Sequence, residues 1–514
     1  MSHKFSRNVG VLAAVSAVAL SLSAQTLKDE FKTFRNNMMG EYNEYRKTVL
    51  SNYDSFLEGV WKEFEVFSAT SKFTEPKPDT IPVAAPRDPD AVVEDTEIPM
   101  EDPFVKPPSP VAERPSLPTL PVAPTSLSSA TPITSLPVKL NGHDIDMWDN
   151  YVFPYYNMEL EIADVDFDLQ TQPATDRDYA VAWREMRDSE EASALIAACY
   201  EMAKRYNLND YLTYEAIAAY VSSRYPDYTR GARVALIQYL MANLGYDVRI
   251  TIDVSNNRPY LLIPFVQEVY RPRQYLIISN SNYFIFDPEN PGAQAVGPFS
   301  TCVVPDDIAL NRFNLIINDL NLPEDTREYD IEYGPLHLSG TYNANIMPVL
   351  YKYPNMTMSA YADSEVLPEV RKELVEQVRE QLSGMSKIDA VNTLLSFFHH
   401  GFDYATDGDF HGFEKPYFIE ENLFYPKNDC EDRAIFYTYL LWNALGIECD
   451  LLHYNGHESA SVHLPGEEVK GYFHEHDGKK YYFSDPTYVN SKTGDCMKTY
   501  LRVKPGIDKT YTHD

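Results

Sequence analysis

Cys430 combines a nucleophilic side chain with a position at a predicted helix start. It lies in the segment KNDCEDRAIFYTYLL, directly after Asp429, a residue type favoured at the N-cap of a helix. Cysteine attacks as the thiolate, and the unpaired N–H groups and positive dipole end of a helix N-terminus lower the pKa of a thiol. The sequence therefore predicts that Cys430 is a nucleophile with a lowered pKa, although a lone cysteine in this position is usually structural.

A cysteine nucleophile needs a base and a group that orients the base. His457 in YNGHESASV and Asp485 in YYFSDPTY follow Cys430 in the chain, the first at a predicted strand start and the second at a strand end. Adjacent antiparallel strands can bring both side chains opposite the helix of Cys430. We therefore predict Cys430, His457 and Asp485 as the catalytic residues.

The other histidines of this region offer alternatives. His463 is the rival base, because it lies on the same predicted strand as His457. Histidines at strand ends are commonly exposed, and this is the interpretation of His453, His474 and His476. A zinc site from His453, His457 and His463 matches none of the usual short zinc signatures, so neither a metal nor a cofactor is predicted.

The elements that must position these residues run helices first and strands later. Helical spacing covers residues 367–382 and 386–400, and residues 434–445 are apolar on nearly all sides, as in a buried helix. Short, partly alternating runs joined by turn residues then follow at 449–454, 458–464, 468–476 and 479–486. This order predicts helices packed on an antiparallel sheet, an α+β fold.

The arrangement resembles the transglutaminase-like superfamily, a papain-like group, and most of all its exported bacterial branch. The resemblance depends on DCEDRA at 429–434, GHESASV at 456–462 and DGKKYYFSDPTY at 477–488, in that order, and covers about residues 365–497. It implies a Cys430 nucleophile, a His457 general base and acid, and an orienting Asp485 carboxylate. Ser459 departs from the family, which often has an aromatic residue there.

The chain also contains an internal repeat. RVALIQYLMANLGYDVRI at 233–250 lines up with RAIFYTYLLWNALGIECDLL at 433–452 at a constant offset of 200, and YFIFDP at 283–288 lines up with YYFSDP at 481–486 at an offset of 198. Each copy is long enough to bury its own core, so we predict a fold duplicated in tandem, at 145–345 and 350–514. In the first copy Arg230 stands opposite Cys430, Pro259 opposite His457 and Asp287 opposite Asp485, which predicts a degenerate domain without nucleophile or base.

An insertion in the second copy, at 408–428, approaches Cys430 and is rich in aromatic residues. Those side chains suit the lining of a cleft, but ordinary packing of a long loop explains them equally well. They are Phe410, Phe413, Tyr417, Phe418, Phe424 and Tyr425.

Three segments precede the repeat. Residues 1–24 have a charged start, a short apolar run and small residues at the end, which is typical of a secretory signal peptide. Residues 25–74 contain an apolar, aromatic stripe with steps of three and four from Phe31 to Phe64, which predicts an amphipathic helix that packs on this chain's own domains or docks on a partner. Proline-rich residues 75–140 predict a semi-extended linker.

Charge and composition exclude several classes of protein. A net charge of −32 leaves no basic excess with which to bind nucleic acid, and no further apolar run is long enough to span a membrane. Five cysteines in 514 residues exclude a small disulfide-stapled scaffold, although Cys449 and Cys496 can in principle pair.

The resulting hypothesis is an exported, periplasmic or secreted cysteine enzyme that acts on peptide or peptidoglycan-type amides. It forms a thioester and passes the acyl group to water or an amine, as a peptide or isopeptide hydrolase or a transamidase. The alternative is a catalytically silent binding or scaffolding protein of the bacterial envelope, with an envelope protein partner bound through the N-terminal helix.

Overall fold

The computed structural model describes residues 50, 53–69, 77–86, 93–98, 139–140, 143–144, 149–271, 274–290, 297–302 and 310–513. The predicted signal peptide at 1–24, most of the predicted helix before residue 50 and most of the proline-rich region lie outside these residues. Within the described part, helices and sheets are mixed, and one continuous buried core includes residues of both predicted copies.

The described residues of the N-terminal segments include a short helix and five short strands. They are α1 (Tyr53–Leu57), β1 (Trp61–Phe64), β2 (Phe67–Ser68), β3 (Thr96–Glu97), β4 (Lys139–Leu140) and β5 (His143–Asp144). Tyr53 stacks on Trp183 with ring centroids 4.3 Å apart, so this end of the aromatic stripe packs on the chain's own first half.

The prediction of a helix continuing to Phe64 is wrong. The helix ends at Leu57, and the chain turns at Gly59, where a Cβ would lie 2.9 Å from the carbonyl oxygen of Phe56. Residues 61–64 then pair with a strand of the first half. Tertiary strand pairing overrides the helical spacing of the apolar residues, because local propensity is weak compared with sheet pairing and burial.

Four helices open the first half after a hairpin. The hairpin strands are β6 (Asn150–Tyr155) and β7 (Met158–Ala163), and the helices are α2 (Asp176–Arg187), α3 (Glu190–Arg205), α4 (Asp210–Arg224) and α5 (Arg230–Asn243). Side chains of Ser189, Asn209 and Thr229 accept N-cap hydrogen bonds at the starts of α3, α4 and α5. Helix α5 is buried on nearly every side.

The sheet of the first half has seven antiparallel strands in the order β1-β13-β8-β9-β12-β11-β2. Its later strands are β8 (Arg249–Asp253), β9 (Arg258–Ile263), β11 (Gln274–Ile278), β12 (Ser281–Phe286) and β13 (Phe299–Cys302). A separate strand, β10 (Val269–Arg271), pairs with β16 of the second half.

The second half begins with a hairpin and short helical turns. They are β14 (Thr326–Tyr333), β15 (Leu336–Asn343), a 3₁₀ turn (Ala344–Ile346), α6 (Met347–Tyr351), β16 (Asn355–Met356) and α7 (Met358–Asp363). The elements around the predicted site follow: α8 (Pro368–Gln381), α9 (Lys387–His400), β17 (Asp403–Tyr404), α10 (Asp407–Phe410), α11 (Glu421–Phe424), β18 (Lys427–Asn428) and α12 (Cys430–Asn443). The helices predicted at 367–382 and 386–400 are confirmed to within one residue at each end.

The second sheet has the order β23-β19-β20-β22-β21-β3. Its strands after α12 are β19 (Cys449–Tyr454), β20 (His457–Val462), β21 (Tyr472–His476), β22 (Lys479–Phe483) and β23 (Gly506–Tyr511). All pairs are antiparallel except β3 with β21, which confirms the antiparallel sheet predicted from the alternating runs.

The two sheets share one connection pattern. In each, the first strand after the buried helix lies inside the sheet, the next strand pairs with it, a hairpin extends one side, and the last strand returns to the other side. A short N-terminal strand closes the same side of each sheet, β2 in the first and β3 in the second.

The described stretches of the predicted linker at 75–140 contact the second half of the chain. Val83 forms a bridge to Val489, and Ile98 donates its backbone N–H to the Phe473 carbonyl at 2.7 Å. Proline is tolerated at such a sheet edge, where not every N–H is needed for pairing. Among the described residues, no helix is both long and apolar enough to cross a bilayer.

Candidate active site

Helix α12 places Cys430 in the interior of the second half. Asp429 is the N-cap residue, as predicted, and its backbone N–H donates to the Asp432 carboxylate at 3.0 Å. Arg433 anchors the first turn, because its Nε donates to Asn428 Oδ1 at 2.8 Å and its Nη2 to the Phe402 carbonyl at 2.9 Å. Cys430 is therefore the first residue of a fixed, fully buried helix start.

The thiol of Cys430 lies between a carboxylate and the start of strand β20. Its Sγ donates to Glu431 Oε2 at 3.2 Å, and the backbone N–H of Glu458, next to His457, donates to the sulfur. Burial raises the pKa of the thiol well above its ordinary value, and the charges of Glu431 and Asp429 raise it further. The prediction of a lowered pKa is wrong, because burial and the acidic neighbours outweigh the helix N-terminus.

His457 and Asp485 meet as predicted. His457 Nε2 is hydrogen-bonded to Asp485 Oδ2 at 2.8 Å, and both side chains are nearly inaccessible to solvent. The other ring nitrogen, Nδ1, has no hydrogen-bond partner among the residues that the structure describes. The hydrogen bond at Nε2 thus fixes the ring, while Nδ1 is available to exchange a proton.

Asp485 is held in place by its own backbone turn. Its Oδ1 accepts hydrogen bonds from the N–H groups of Thr487 at 2.8 Å and Tyr488 at 3.2 Å. Burial alone would raise the pKa of the carboxyl, but the charge and hydrogen bond of His457 and the N–H of Thr487 hold it below its ordinary value. Asp485 is therefore an ionised group that is hydrogen-bonded to the His457 ring.

Two residues that the sequence interpretation missed also support this pair. The ring of Tyr500 stacks on His457, with centroids 5.3 Å apart and an interplanar angle of 7°. His399 Nε2 is hydrogen-bonded to the Asp485 carbonyl at 3.0 Å, and burial lowers its pKa to about 4, so it is neutral near pH 7. Neither lies in a motif, since both reach the site through tertiary contacts.

The alternative histidines do other things. His463 is half-buried and its Nδ1 is hydrogen-bonded to the Lys480 carbonyl at 2.8 Å, whereas His457 is the histidine that contacts the Asp485 carboxylate. The interpretation of His474 as an exposed residue is wrong, since it is fully buried and its Nε2 is 2.9 Å from Ser461 Oγ. His474 lies in β21, which pairs with β22 on one side and with β3 on the other, so this strand is inside the sheet.

The insertion at 408–428 is bracketed by the paired strands β17 and β18. Tyr417 and Phe418 are buried, whereas Phe410 and Phe424 are exposed, so its aromatic residues serve partly as packing. Its more consequential contribution is charged. Lys415 is buried and donates to Glu421 Oε2 at 2.7 Å, and its neighbour Glu414 faces the Cys430 helix start.

An acidic pocket, defined as Asp407, Glu414, Asp429 and Glu431, lies directly beside Cys430. Carboxylate oxygens of Asp407, Glu414 and Glu431 lie within 4.8 Å of one another, a spacing that can hold a cation. The cation present is the ammonium group of Lys77, from the N-terminal segment. Sequence reasoning missed this contact because about 350 residues separate Lys77 from the helix start.

All five cysteines are free thiols. Cys449, considered as a partner of Cys496, is buried and donates its S–H to the Thr438 carbonyl instead, with the atoms 3.7 Å apart. Cys430 is therefore distinguished from the others by its surroundings and not by the pairing of the rest.

The first half brings the corresponding residues together with different chemistry. Arg230 is the first residue of α5, as Cys430 is of α12. Its Nε donates to the Pro259 carbonyl at 3.0 Å and its Nη2 to Asp287 Oδ1 at 2.8 Å. An ion pair thus stands where the second half has a thiol, an imidazole and a carboxylate.

A scan against protein-family models and searches of curated proteins and solved structures found no match to this chain.

Proposed function

We propose that this chain is an exported, cysteine-dependent enzyme that transfers the acyl group of an amide, with Cys430, His457 and Asp485 as its catalytic residues. The substrates are peptide or peptidoglycan-type amides, and the acceptor is water or an amine. The second half is a transglutaminase-like, papain-like domain, and the first half is a degenerate tandem copy of it.

One observation carries the proposal. His457 is fixed through Nε2 to an ionised, buried Asp485 at 2.8 Å, has a second ring nitrogen without a partner in the described structure, and begins the strand whose next N–H contacts the Cys430 sulfur. A nucleophile, a base and an orienting carboxylate in this relation are the requirements of nucleophilic acyl transfer.

The chemistry follows from these positions. The Cys430 proton passes to His457 Nδ1, and Asp485 stabilises the resulting imidazolium. The sulfur attacks the amide carbonyl carbon, and unpaired N–H groups at the start of α12 stabilise the oxyanion. His457 returns the proton to the leaving amine, the C–N bond breaks, and a thioester remains. Water or an amine then releases the acyl group through the same base.

The shared strand order of the two sheets supports the tandem copy, as do the matching positions of Arg230 and Cys430. Export is inferred from the character of residues 1–24 alone.

The test is direct detection of the thioester. The purified full chain is incubated with peptide amides and peptidoglycan-derived peptides, and mass spectrometry follows both amine release and acylated protein. We expect an acyl adduct on Cys430, and no release with Cys430→Ala. Cys302→Ala, which removes a buried thiol of the first half, is the matched control and should retain activity. Release that survives Cys430→Ala would contradict the proposal.

The buried, protonated thiol also favours the alternative of a silent binding or scaffolding protein. The substitution Lys77→Ala, which removes the ammonium group from beside Cys430, distinguishes the enzyme from the binding protein. If Lys77→Ala still yields no adduct with any amide and Cys430 resists iodoacetamide in the folded variant, the binding alternative stands.

A further inference from the structure

A stretch of the N-terminal segment crosses the second half close to the catalytic residues. Val489, in the turn after Asp485, donates its N–H to the Pro82 carbonyl at 2.9 Å and accepts from the Ala84 N–H at 2.8 Å. At the other end, the Tyr404 hydroxyl donates to the Pro78 carbonyl at 2.9 Å. These contacts bring Lys77 to the start of helix α12.

The ammonium group of Lys77 is enclosed by carboxylates. Its Nζ lies 2.6 Å from Glu414 Oε1, 3.1 Å from Asp429 Oδ2 and 3.8 Å from Asp407 Oδ2, and it also pairs with Glu431 Oε1. Only 8% of the Lys77 side chain is exposed. An ammonium group is buried so deeply only where opposite charges and hydrogen-bond acceptors surround it.

The acidic pocket has more carboxylates than the one ammonium group in it can neutralise. It offers four carboxylates to a single ammonium, and Asp429 Oδ1 is buried with no hydrogen-bond partner within the described part of the chain. Burial raises the pKa of Glu414 to about 7, and burial together with like charge raises that of Asp429. The ammonium group of Lys415, the other buried lysine nearby, pairs with Glu421 and not with a carboxylate of the acidic pocket.

The pocket is joined to the nucleophile through one side chain. Glu431 accepts the Cys430 thiol on Oε2 and the Lys77 ammonium on Oε1. A cationic group bound here is therefore held next to the reacting sulfur. The compact geometry suits an ammonium with three donors better than a planar guanidinium.

We propose that the acidic pocket is a subsite for a primary alkylammonium group of the substrate, such as the side chain of lysine or another diamino acid, and that Lys77 occupies it in cis. The role in substrate binding rests on the proposed function. The affinity for an alkylammonium group does not, because it depends only on the carboxylates.

The experiment measures binding without chemistry, in the full chain carrying Cys430→Ala. The probe is n-butylamine, n-butanol is the neutral isostere, and calorimetry reports affinity. We expect Cys430→Ala/Lys77→Ala to bind n-butylamine at least about tenfold more tightly than Cys430→Ala alone, because a tethered competitor acts at a high effective concentration. Adding Glu414→Gln should weaken this binding by about tenfold.

Thermal unfolding provides a second readout if Lys77→Ala destabilises the fold. A ligand that binds only the folded state raises Tm, so n-butylamine should restore part of the lost Tm and n-butanol should not. Equal affinities with and without Lys77, equal effects of the amine and the alcohol, or stabilisation by CaCl₂ but not by the amine would each overturn the proposal. Amine binding without thioester formation would remove the proposed function and leave the ammonium site standing.

Discussion

The two halves share one strand order but have different residues at the start of the buried helix that precedes the sheet. In the first, Arg230 at the helix start closes an ion pair with Asp287 and hydrogen-bonds the Pro259 carbonyl. In the second, Cys430 occupies the helix start while His457 contacts Asp485. The carboxylate is common to both, but in one half it pairs with a guanidinium and in the other it is hydrogen-bonded to an imidazole. Under the proposed function, the same buried carboxylate stabilises the first half and orients the base in the second.

The largest effect should come from removing the base. We expect His457→Ala to lower kcat/KM for amide release by about 10³-fold, because a positioned general base contributes roughly that factor. His463→Ala is the matched control, since that histidine is half-buried and hydrogen-bonded to the Lys480 carbonyl and does not contact Asp485, and it should leave the rate unchanged. Comparable losses in the two variants would show that His457 is not the base.

The corresponding change in the first half should cost stability and not activity. Arg230→Ala leaves Asp287 buried with Arg258 as its remaining cation, so we expect a loss of about 3 kcal/mol in the free energy of unfolding, measured in urea. Arg327→Ala removes an exposed ion pair with Asp325 and should cost less than about 1 kcal/mol. If Arg230→Ala abolished amide release in folded protein, the contrast between the halves would fail.

The sequence predicted those features of the second half that depend on residues close together in the chain. A short apolar run bounded by turn residues predicts the strand Cys449–Tyr454, and the residue types around Asp429 predict the start of the buried helix. The contact between His457 and Asp485 could be predicted from the sequence, because His457 begins one strand and Asp485 closely follows the strand that pairs with it.

Contacts between residues far apart in the chain could not be predicted from the sequence in this way. Nothing near Lys77 indicates that its ammonium is buried, since proline-rich composition predicts an extended linker and the carboxylates that bind it are far away in the chain. The pKa of Cys430 was predicted in the wrong direction for the same reason, because the helix start is local whereas burial and the acidic neighbours are tertiary.

The two helix starts should respond to pH in opposite directions. Glu414 and Asp429 have raised pKa values, so the folded state keeps protons that the unfolded chain releases near pH 4; stability from these groups is present at low pH and falls as pH rises through about 7. At the first helix start, burial would raise the pKa of Glu289, but Arg233 and Arg230 lower it, so its contribution is lost as pH falls.

Hydrogen exchange, corrected for its intrinsic pH dependence, can follow both helices in one sample. We expect amides of α12 to lose about tenfold protection between pH 6 and pH 9, and amides of α5 to lose protection below pH 4. The groups that face the second helix start are Lys77, Asp407, Glu414, Lys415, Glu421, Asp429, Glu431 and Asp432. Lys77→Ala should enlarge the alkaline loss in α12 alone, and a uniform loss in both helices would contradict this assignment.

The smallest effect concerns the aromatic neighbour of each site. In the first half, the Arg230 guanidinium lies over Tyr260, 5.2 Å from its ring centroid, whereas in the second Tyr500 stacks on the His457 imidazole. Under the proposed function we expect Tyr500 to act as a positioning residue, because its ring stacks on the imidazole that Asp485 contacts. We expect Tyr500→Ala to lower kcat about fivefold with KM unchanged, since such stacking is worth about 1 kcal/mol, and Tyr500→Phe to restore the rate. A Phe variant as slow as the Ala variant would assign the role to the hydroxyl, and a matching loss of unfolding free energy with unchanged kcat would make Tyr500 structural, as Tyr260 is.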